Sequence, residues 1–230
     1  MNKYGWIIFS AVVIGLLGGL IIWTRVTNPA ADVSKINNNS ILVASADSGN
    51  IADHVEGNKD SKVLLIEYGD FQCPSCGKAY PNVKTLMDEY GDRVALVFRN
   101  FPLTSAHPNA KAAAAAAEAA SLQGKYWEMH DILYQDQSAW NNLDTSKRTD
   151  AFVTFAGQIG LDTAKFTKDL SSADVSKKVN FDFALGKQNS VAATPTFFLN
   201  GEKLDGTPAD GIVQGDLTAV KAKLDALLAK

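Results

Sequence analysis

Cys73 and Cys76 are the only cysteines in the chain, and they stand in Glu67-Tyr68-Gly69-Asp70-Phe71-Gln72-Cys73-Pro74-Ser75-Cys76. Ahead of them, Lys62-Val63-Leu64-Leu65-Ile66-Glu67-Tyr68 carries the unbroken apolar run expected of a strand buried on both faces of a sheet. Behind Cys73, Pro74 lacks a backbone N–H, which is harmless in the first turn of a helix. Strand, short turn and helix follow in close succession. This restricts the chain to an α/β fold in which Cys73 caps a helix running through Tyr80 to about Tyr90, with a kink expected at Pro81.

That position has a chemical consequence. The unpaired N–H groups and positive dipole end of a helix N-terminus favour an anion. Such surroundings lower a thiol pKa from about 8.5 into the range of roughly 3.5 to 7.5. Cys73 therefore reads as the nucleophile of a redox pair. Cys76, one turn further on the same side, reads as the resolving thiol that attacks a mixed disulfide at Cys73. Two plainer readings compete. A structural zinc site needs about four ligands, and only His54, His107 and His130 are available to complete one. A purely structural disulfide would close so short a loop that it removes little chain entropy.

With 22 basic and 25 acidic residues among 230, the net charge of −3 gives no reason to expect nucleic-acid binding. The N-terminus is more informative. From Tyr4 to Trp23 there is no charged residue; Lys3 and Arg25 flank the stretch, and Tyr4, Trp6 and Trp23 lie near its ends. A helix of that length spans about 30 Å, enough to cross a bilayer, and aromatic residues at both ends suit the membrane interfaces. Residues 1–26 are expected to form a transmembrane signal anchor, with cleavage to a secreted form as the alternative. A short flank before one span places the following domain outside the cell, where disulfides persist. Ala11, Gly15 and Gly19 give the span a small-residue stripe of the sort that pairs membrane helices. Residues 27–49, rich in Asn, Ser, Ala and Asp, read as a flexible linker.

The domain itself is expected over residues 50–230. Arg93–Arg99 reads as a second buried strand, parallel to the first across the cysteine helix. A long stretch without strand character follows, at about 105–190. Helices are expected from His107-Pro108 to Gln123, then over Tyr126–Tyr134, Lys147–Ile159, Thr163–Leu170 and Val175–Gln188. Thr196–Leu199 and Glu202–Leu204 form a hairpin about Asn200-Gly201, and a final helix spans Asp216–Leu228.

Two further positions carry chemistry. Pro195, immediately before a strand, cannot join the ladder through its missing N–H. A cis Thr194-Pro195 bond there would turn the chain and free nearby backbone groups for an extended peptide; a trans bond is the ordinary state. Glu67, six residues before Cys73 in a buried strand, would have a raised pKa and could exchange a proton with Cys76. The plain alternative is a solvated glutamate, or one paired with Lys62 or Lys203. The histidines are weaker signals: His54 lies by the pair or flanks the first strand, His107 starts a helix, and His130 packs within the helical stretch. Trp127 and Trp140 read as core or groove residues.

Taken together, several segments resemble the DsbA-like branch of the thioredoxin superfamily, in particular its membrane-anchored BdbD type. They are Asp53-His54-Val55-Glu56-Gly57-Asn58, Glu67 through Cys76, His107-Pro108-Asn109-Ala110 with its alanine-rich helix, Gln123 through Asp131, and Thr194 through Gly201. The resemblance implies a thioredoxin-like α/β fold with an inserted helical domain, preceded by the transmembrane helix. It further implies exchange at Cys73 and Cys76, a cis-proline loop at Thr194-Pro195, and Glu67 at the buried-acid position. Pro74 and Ser75, with Thr194 and Pro195, would meet the substrate. No metal or cofactor is implied beyond the redox-active disulfide. The partners implied are unfolded, cysteine-containing extracytoplasmic proteins and a quinone-linked membrane oxidase of the DsbB or VKOR type. One departure stands out: Pro74-Ser75 replaces the Pro-His of the strongly oxidising relatives, so no histidine in the dipeptide stabilises the thiolate. The activity expected is disulfide donation, with reductase or isomerase action, or a redox-inactive chaperone, as alternatives.

Overall fold

The computed structural model describes Phe9, Ser10, residues 12–15 and residues 31–230. The chain divides into two units, Met1–Ala31 and Asp32–Lys230. In the first, the described residues 9, 10 and 12–15 are helical. The expected membrane anchor falls mostly outside the described residues, and among those described no helix is long and apolar enough to cross a membrane.

The second unit is built on a five-stranded sheet in the order β1-β3-β2-β4-β5. These strands are β1 (His54–Gly57), β2 (Leu64–Gly69), β3 (Ala95–Asn100), β4 (Thr196–Leu199) and β5 (Glu202–Lys203). The two apolar runs foreseen from sequence, β2 and β3, lie side by side and parallel, with Leu65 opposite Leu96 and Glu67 opposite Phe98. β4 pairs antiparallel on the other side of β2, setting Phe197 against Glu67. A strand held on both edges and both faces has no solvated position, and all six residues of β2 are buried. β1 is an edge strand antiparallel to β3 that the sequence reading did not resolve. Its polar residues His54 and Glu56 hide the alternation.

Helix α1 (Pro74–Tyr90) joins β2 to β3 and continues through Pro81. Six helices separate β3 from β4: α2 (Ala110–Ser121), α3 (Tyr126–Gln135), α4 (Gln137–Trp140), α5 (Thr145–Gln158), α6 (Thr163–Asp169) and α7 (Ala173–Gln188). Side chains of Asp144, Asp162 and Ser172 cap α5, α6 and α7, which fixes their starts at polar residues the apolar pattern alone passes over. After β5 come α8 (Thr207–Gln214) and α9 (Thr218–Leu228). α8 was unforeseen, because Gly206, Pro208 and Gly211 in so short a stretch read as a loop.

Two apolar clusters fill the unit. One packs Val83, Leu86 and Met87 of α1 and Ile212, Val220 and Leu224 of the last helices against Leu65, Leu96, Phe197 and Leu199. The other joins the alanine face of α2 to Met129, Leu133, Trp140, Phe152 and Phe166, and extends to Phe71, Cys73 and Cys76. The small side chains of Ala113, Ala116, Ala117 and Ala120, all fully buried, let α2 sit deep within the helical layer.

The flexible-linker reading of residues 27–49 does not hold from Asp32 onward. This stretch is strapped onto the domain. Arg99, fully buried, donates to the carbonyl oxygens of Asn38 (2.5 Å) and Ser40 (2.8 Å). Asn38 Nδ2 donates to Asn189 Oδ1 at 2.6 Å, and the Leu42 and Asp53 backbones are bonded to each other. Gly49, at φ +66°, passes so close to α7 that a Cβ there would lie 2.1 Å from the Asp174 carbonyl oxygen. The strap is held through its own backbone groups, which a polar composition does not reveal.

Candidate active site

β2 ends at Gly69, and the turn from Asp70 to Cys73 is closed by a bond from the Cys73 N–H to the Asp70 carbonyl. Asp70 Oδ1 accepts from the Gln72 N–H. Cys73 then occupies the N-cap of α1 with extended backbone, followed by Pro74 in the first turn. No side chain caps this helix, so its free N–H groups face the Cys73 sulfur. Pro74 and Ser75 are exposed, while Cys73 is 6% exposed and Cys76 fully buried.

From the far end of the insertion, the loop before β4 arrives beside the sulfur. The Thr194-Pro195 peptide is cis, and Cys73 Sγ donates to the Thr194 carbonyl oxygen at 3.3 Å.

The two thiols are electrostatically unlike. A bond from the Cys76 thiol, reinforced by Thr194 and by the Cys76 and Ser75 backbone N–H groups, outweighs burial and lowers the Cys73 pKa to about 5. Burial, together with the Cys73 contact and the Glu67 charge, pushes Cys76 well above an ordinary thiol. Glu67 is 4% exposed and forms no ion pair among the described residues; Lys203 pairs with Asp205 instead. Burial first, and the Cys73 charge second, raise its carboxyl to about 8.

All the site residues read from sequence, Glu67, Cys73, Pro74, Ser75, Cys76, Thr194 and Pro195, therefore meet at the end of β2 and the loop before β4. Others were missed. Gln137 Nε2 donates to the Phe71 and Cys73 carbonyl oxygens, at 2.7 and 3.1 Å, and ties the cysteine turn to α4. His107, read as a helix start, lies ahead of α2 with Nδ1 2.8 Å from Asp70 Oδ2. Nothing in sequence marks Gln137, whereas Asp70 and His107 stand within the quoted motifs. His54 is turned to Glu118 (2.8 Å) and stacked on Tyr126, and His130 is enclosed by aromatic rings including Phe71, Phe98 and Tyr134.

The family model described as Thioredoxin matches residues 49–214. The chain belongs to the thioredoxin family. Among solved thioredoxin-like folds, an oxidoreductase from Silicibacter pomeroyi is 27% identical, with a TM-score of 0.58 over 75% of this chain and 97% of that one. BdbD from Bacillus subtilis, 19% identical, gives 0.61 over 83% of this chain and 98% of its own. The thiol-disulfide exchange protein alpha-DsbA2 of Wolbachia pipientis, 20% identical, gives 0.63 over 76% and 87%. The last two are likenesses of fold. The DsbA-like resemblance seen in the sequence thus holds at the level of thioredoxin family and fold. Curated relatives of this thioredoxin-family chain include the Na(+)/H(+) antiporter NhaA 3 of Salinispora tropica, 39% identical over 154 residues. The match takes in 67% of this chain and 22% of the antiporter, so the chain spans under a quarter of that relative's length.

Proposed function

We propose that the chain is a thiol-disulfide oxidoreductase that donates the Cys73-Cys76 disulfide to cysteine-containing proteins outside the cytoplasm. The observation that carries this reading is the inequality of the two thiols: Cys73 ionises at about 5, whereas Cys76 is pushed well above its usual value. A stabilised Cys73 thiolate favours the reduced pair, which makes the disulfide a stronger oxidant. The Cys76 thiol first, then Thr194 and the N–H groups at the helix N-terminus, carry this stabilisation without a histidine between the cysteines.

In the forward reaction a substrate thiolate attacks Cys73 Sγ, the Cys73-Cys76 bond breaks, and Cys76 leaves as a thiolate. Glu67, protonated at neutral pH, supplies the proton that the departing sulfur takes up. A second substrate thiolate attacks the substrate sulfur of the mixed disulfide and expels Cys73 as a stable thiolate. The substrate loses two electrons and gains a disulfide. The enzyme gains the two electrons and passes them on to a quinone-linked membrane oxidase of the DsbB or VKOR type. Thr194, Pro195, Pro74 and Ser75 border the sulfur and would touch the bound polypeptide.

The uncharged stretch Tyr4–Trp23 supports a single membrane anchor with the catalytic domain on the extracytoplasmic side. No ion transport is carried over from the antiporters, of which the chain matches less than a quarter.

Mixing the oxidised protein with a reduced, unfolded two-thiol protein tests the scheme. Loss of substrate thiols is expected with the parent and not with Cys73→Ser, while Cys76→Ser should accumulate substrate disulfide-bonded at Cys73 when thiols are oxidised together. Substrate oxidation surviving in Cys73→Ser would overturn it.

A further inference from the structure

Gln137 opens the four-residue helix α4 and lays its carboxamide over the cysteine turn. Its Nε2 donates to two carbonyl oxygens, that of Phe71 at 2.7 Å and that of Cys73 at 3.1 Å. The Cys73 carbonyl also accepts the Gly77 N–H at 3.1 Å, the bond that starts α1, so Gln137 grips that helix at its first carbonyl. Just past α4, the Asn141 carbonyl accepts from Gln72 Nε2 at 2.6 Å. Phe71, Gln72 and Cys73 are thus each bonded to residues 137–141. The grip has a firm base: Trp140, fully buried, donates from Nε1 to the Leu133 carbonyl at 2.9 Å and meets Phe152 edge to face.

Gly77 completes the fit. It lies within α1, where alanine would be the better helix former. A Cβ at this position would stand 2.9 Å from Gln137 Oε1 and 3.3 Å from Gln137 Cδ and Nε2. The missing side chain is the space that the carboxamide fills. The need for such a grip differs between the two redox states. In the disulfide, the covalent bond to Cys76 itself holds Cys73 in place. In the reduced pair, the state of the structure, the Cys73 sulfur depends on its own backbone, extended at φ −68° and ψ 124°. Only while that backbone keeps its angle do the Cys76 thiol, the Thr194 carbonyl and the N–H groups of Ser75 and Cys76 reach the sulfur.

We infer that Gln137 is a positioning residue for the exchange reaction, holding the Cys73 backbone so that the free sulfur stays over the helix N-terminus and against Thr194. The inference rests on the exchange chemistry proposed above. Gln137 acts through the Cys73 and Phe71 carbonyl groups, and Gly77 admits it. Loss of the grip loosens the reduced pair and leaves the disulfide anchored by its own bond. The disulfide then becomes the weaker oxidant, because the thiolate it releases is less well stabilised. A segment of the helical insertion thereby sets the redox balance of a pair that belongs to the sheet and its first helix.

Two substitutions test this. Gln137→Leu removes the carboxamide, whereas Gly77→Ala keeps it but pushes it aside with a methyl group, in a helix that alanine otherwise favours. Neither alters Glu67 or Cys76, the titratable groups coupled to Cys73. In each variant the pH midpoint of Cys73 alkylation should rise by about half to one pH unit, the worth of one hydrogen bond. The equilibrium with glutathione should move by about three- to tenfold toward the disulfide, at most about 30 mV. The double variant should shift no further than Gln137→Leu. A residue that only supports the fold would lower the stability of both redox forms alike and move neither reading. Readings unchanged in both variants, or shifts that add in the double variant, with a parent that cycles normally, would overturn the role of Gln137 alone. Should Gln137→Leu fail to fold, Gly77→Ala decides by itself. A parent that does not cycle with glutathione would overturn the exchange reading and this inference with it.

Discussion

The sulfur of Cys73 and the carbonyl oxygen of Thr194 lie 3.3 Å apart across 121 positions of sequence. The bond joins the turn that follows β2 to the far end of the helical insertion, where Thr194 precedes the strand that pairs with β2. The insertion can thus be large without disturbing the site, because adjacent strands β2 and β4 set the distance between the two groups. The same juxtaposition places a backbone acceptor where an extended substrate peptide would need to pass.

The thiolate should be measurable directly. In the reduced protein, absorbance near 240 nm and the rate of alkylation of Cys73 are expected to rise with a midpoint near pH 5. Cys76 should contribute no second step below pH 9. Because the Cys76 thiol is the largest single contributor, Cys76→Ala should move the midpoint upward and slow alkylation severalfold at pH 6. A midpoint near 8.5 in the parent would contradict this electrostatic account.

Glu67 makes stability fall with pH over a definite window. Its carboxyl is raised from 4.5 to about 8 in the folded protein, so between those values the unfolded chain is ionised while the folded chain still holds the proton. The unfolded state then binds fewer protons, and stability declines as pH rises through that range. Glu67→Gln should remove this decline and be more stable than the reduced parent at pH 8 by about 3–5 kcal/mol. Denaturant melts of both proteins at pH 5 and pH 8 check the prediction, which fails if the difference between them does not change with pH.

A buried charge cluster holds β3 to the insertion and strap. Lys178 Nζ lies 2.7 Å from Asp182 and 3.0 Å from Asp53, and Asp53 also receives Arg99 at 2.7 Å. Burial opposes ionisation of Asp53, but Lys178 and Arg99 outweigh it and hold its pKa down to about 2. Asn100 bridges Asp182 to Glu118. Lys178→Met would leave these carboxylates without their central cation and cost about 3–5 kcal/mol. The expected fall in Tm is roughly 10 °C. A loss of less than about 3 °C would show that the cluster is not held together by this lysine.

Much of this site was readable because local chemistry and topology agree. Four apolar residues before Cys73 made β2 a central strand, Pro74 marked the helix start, and Pro195 before Thr196-Phe197-Phe198-Leu199 marked the loop at the next strand. Glu67 was picked out by a charge in an apolar run. What escaped was fixed by contacts distant in sequence. β1 pairs on β3 through backbone bonds while its side chains serve Glu118 and Lys84, so its pattern looks irregular. The strap from Asp32 to Gly49 looked like a tether because its partner is Arg99, itself read as a strand end. Gln137 acts through the Phe71 and Cys73 carbonyl groups of the cysteine turn, a contact that has no sequence periodicity.

The central claim is that the Cys73-Cys76 pair is a disulfide donor, and its equilibrium reduction potential tests that most directly. The protein would be titrated against reduced and oxidised glutathione and read by mass-tagged thiols. With Cys73 ionised at about 5, the account predicts a value near or above about −150 mV. A value near −270 mV, roughly that of a thiol reductant, or a pair that does not cycle at all, would contradict it.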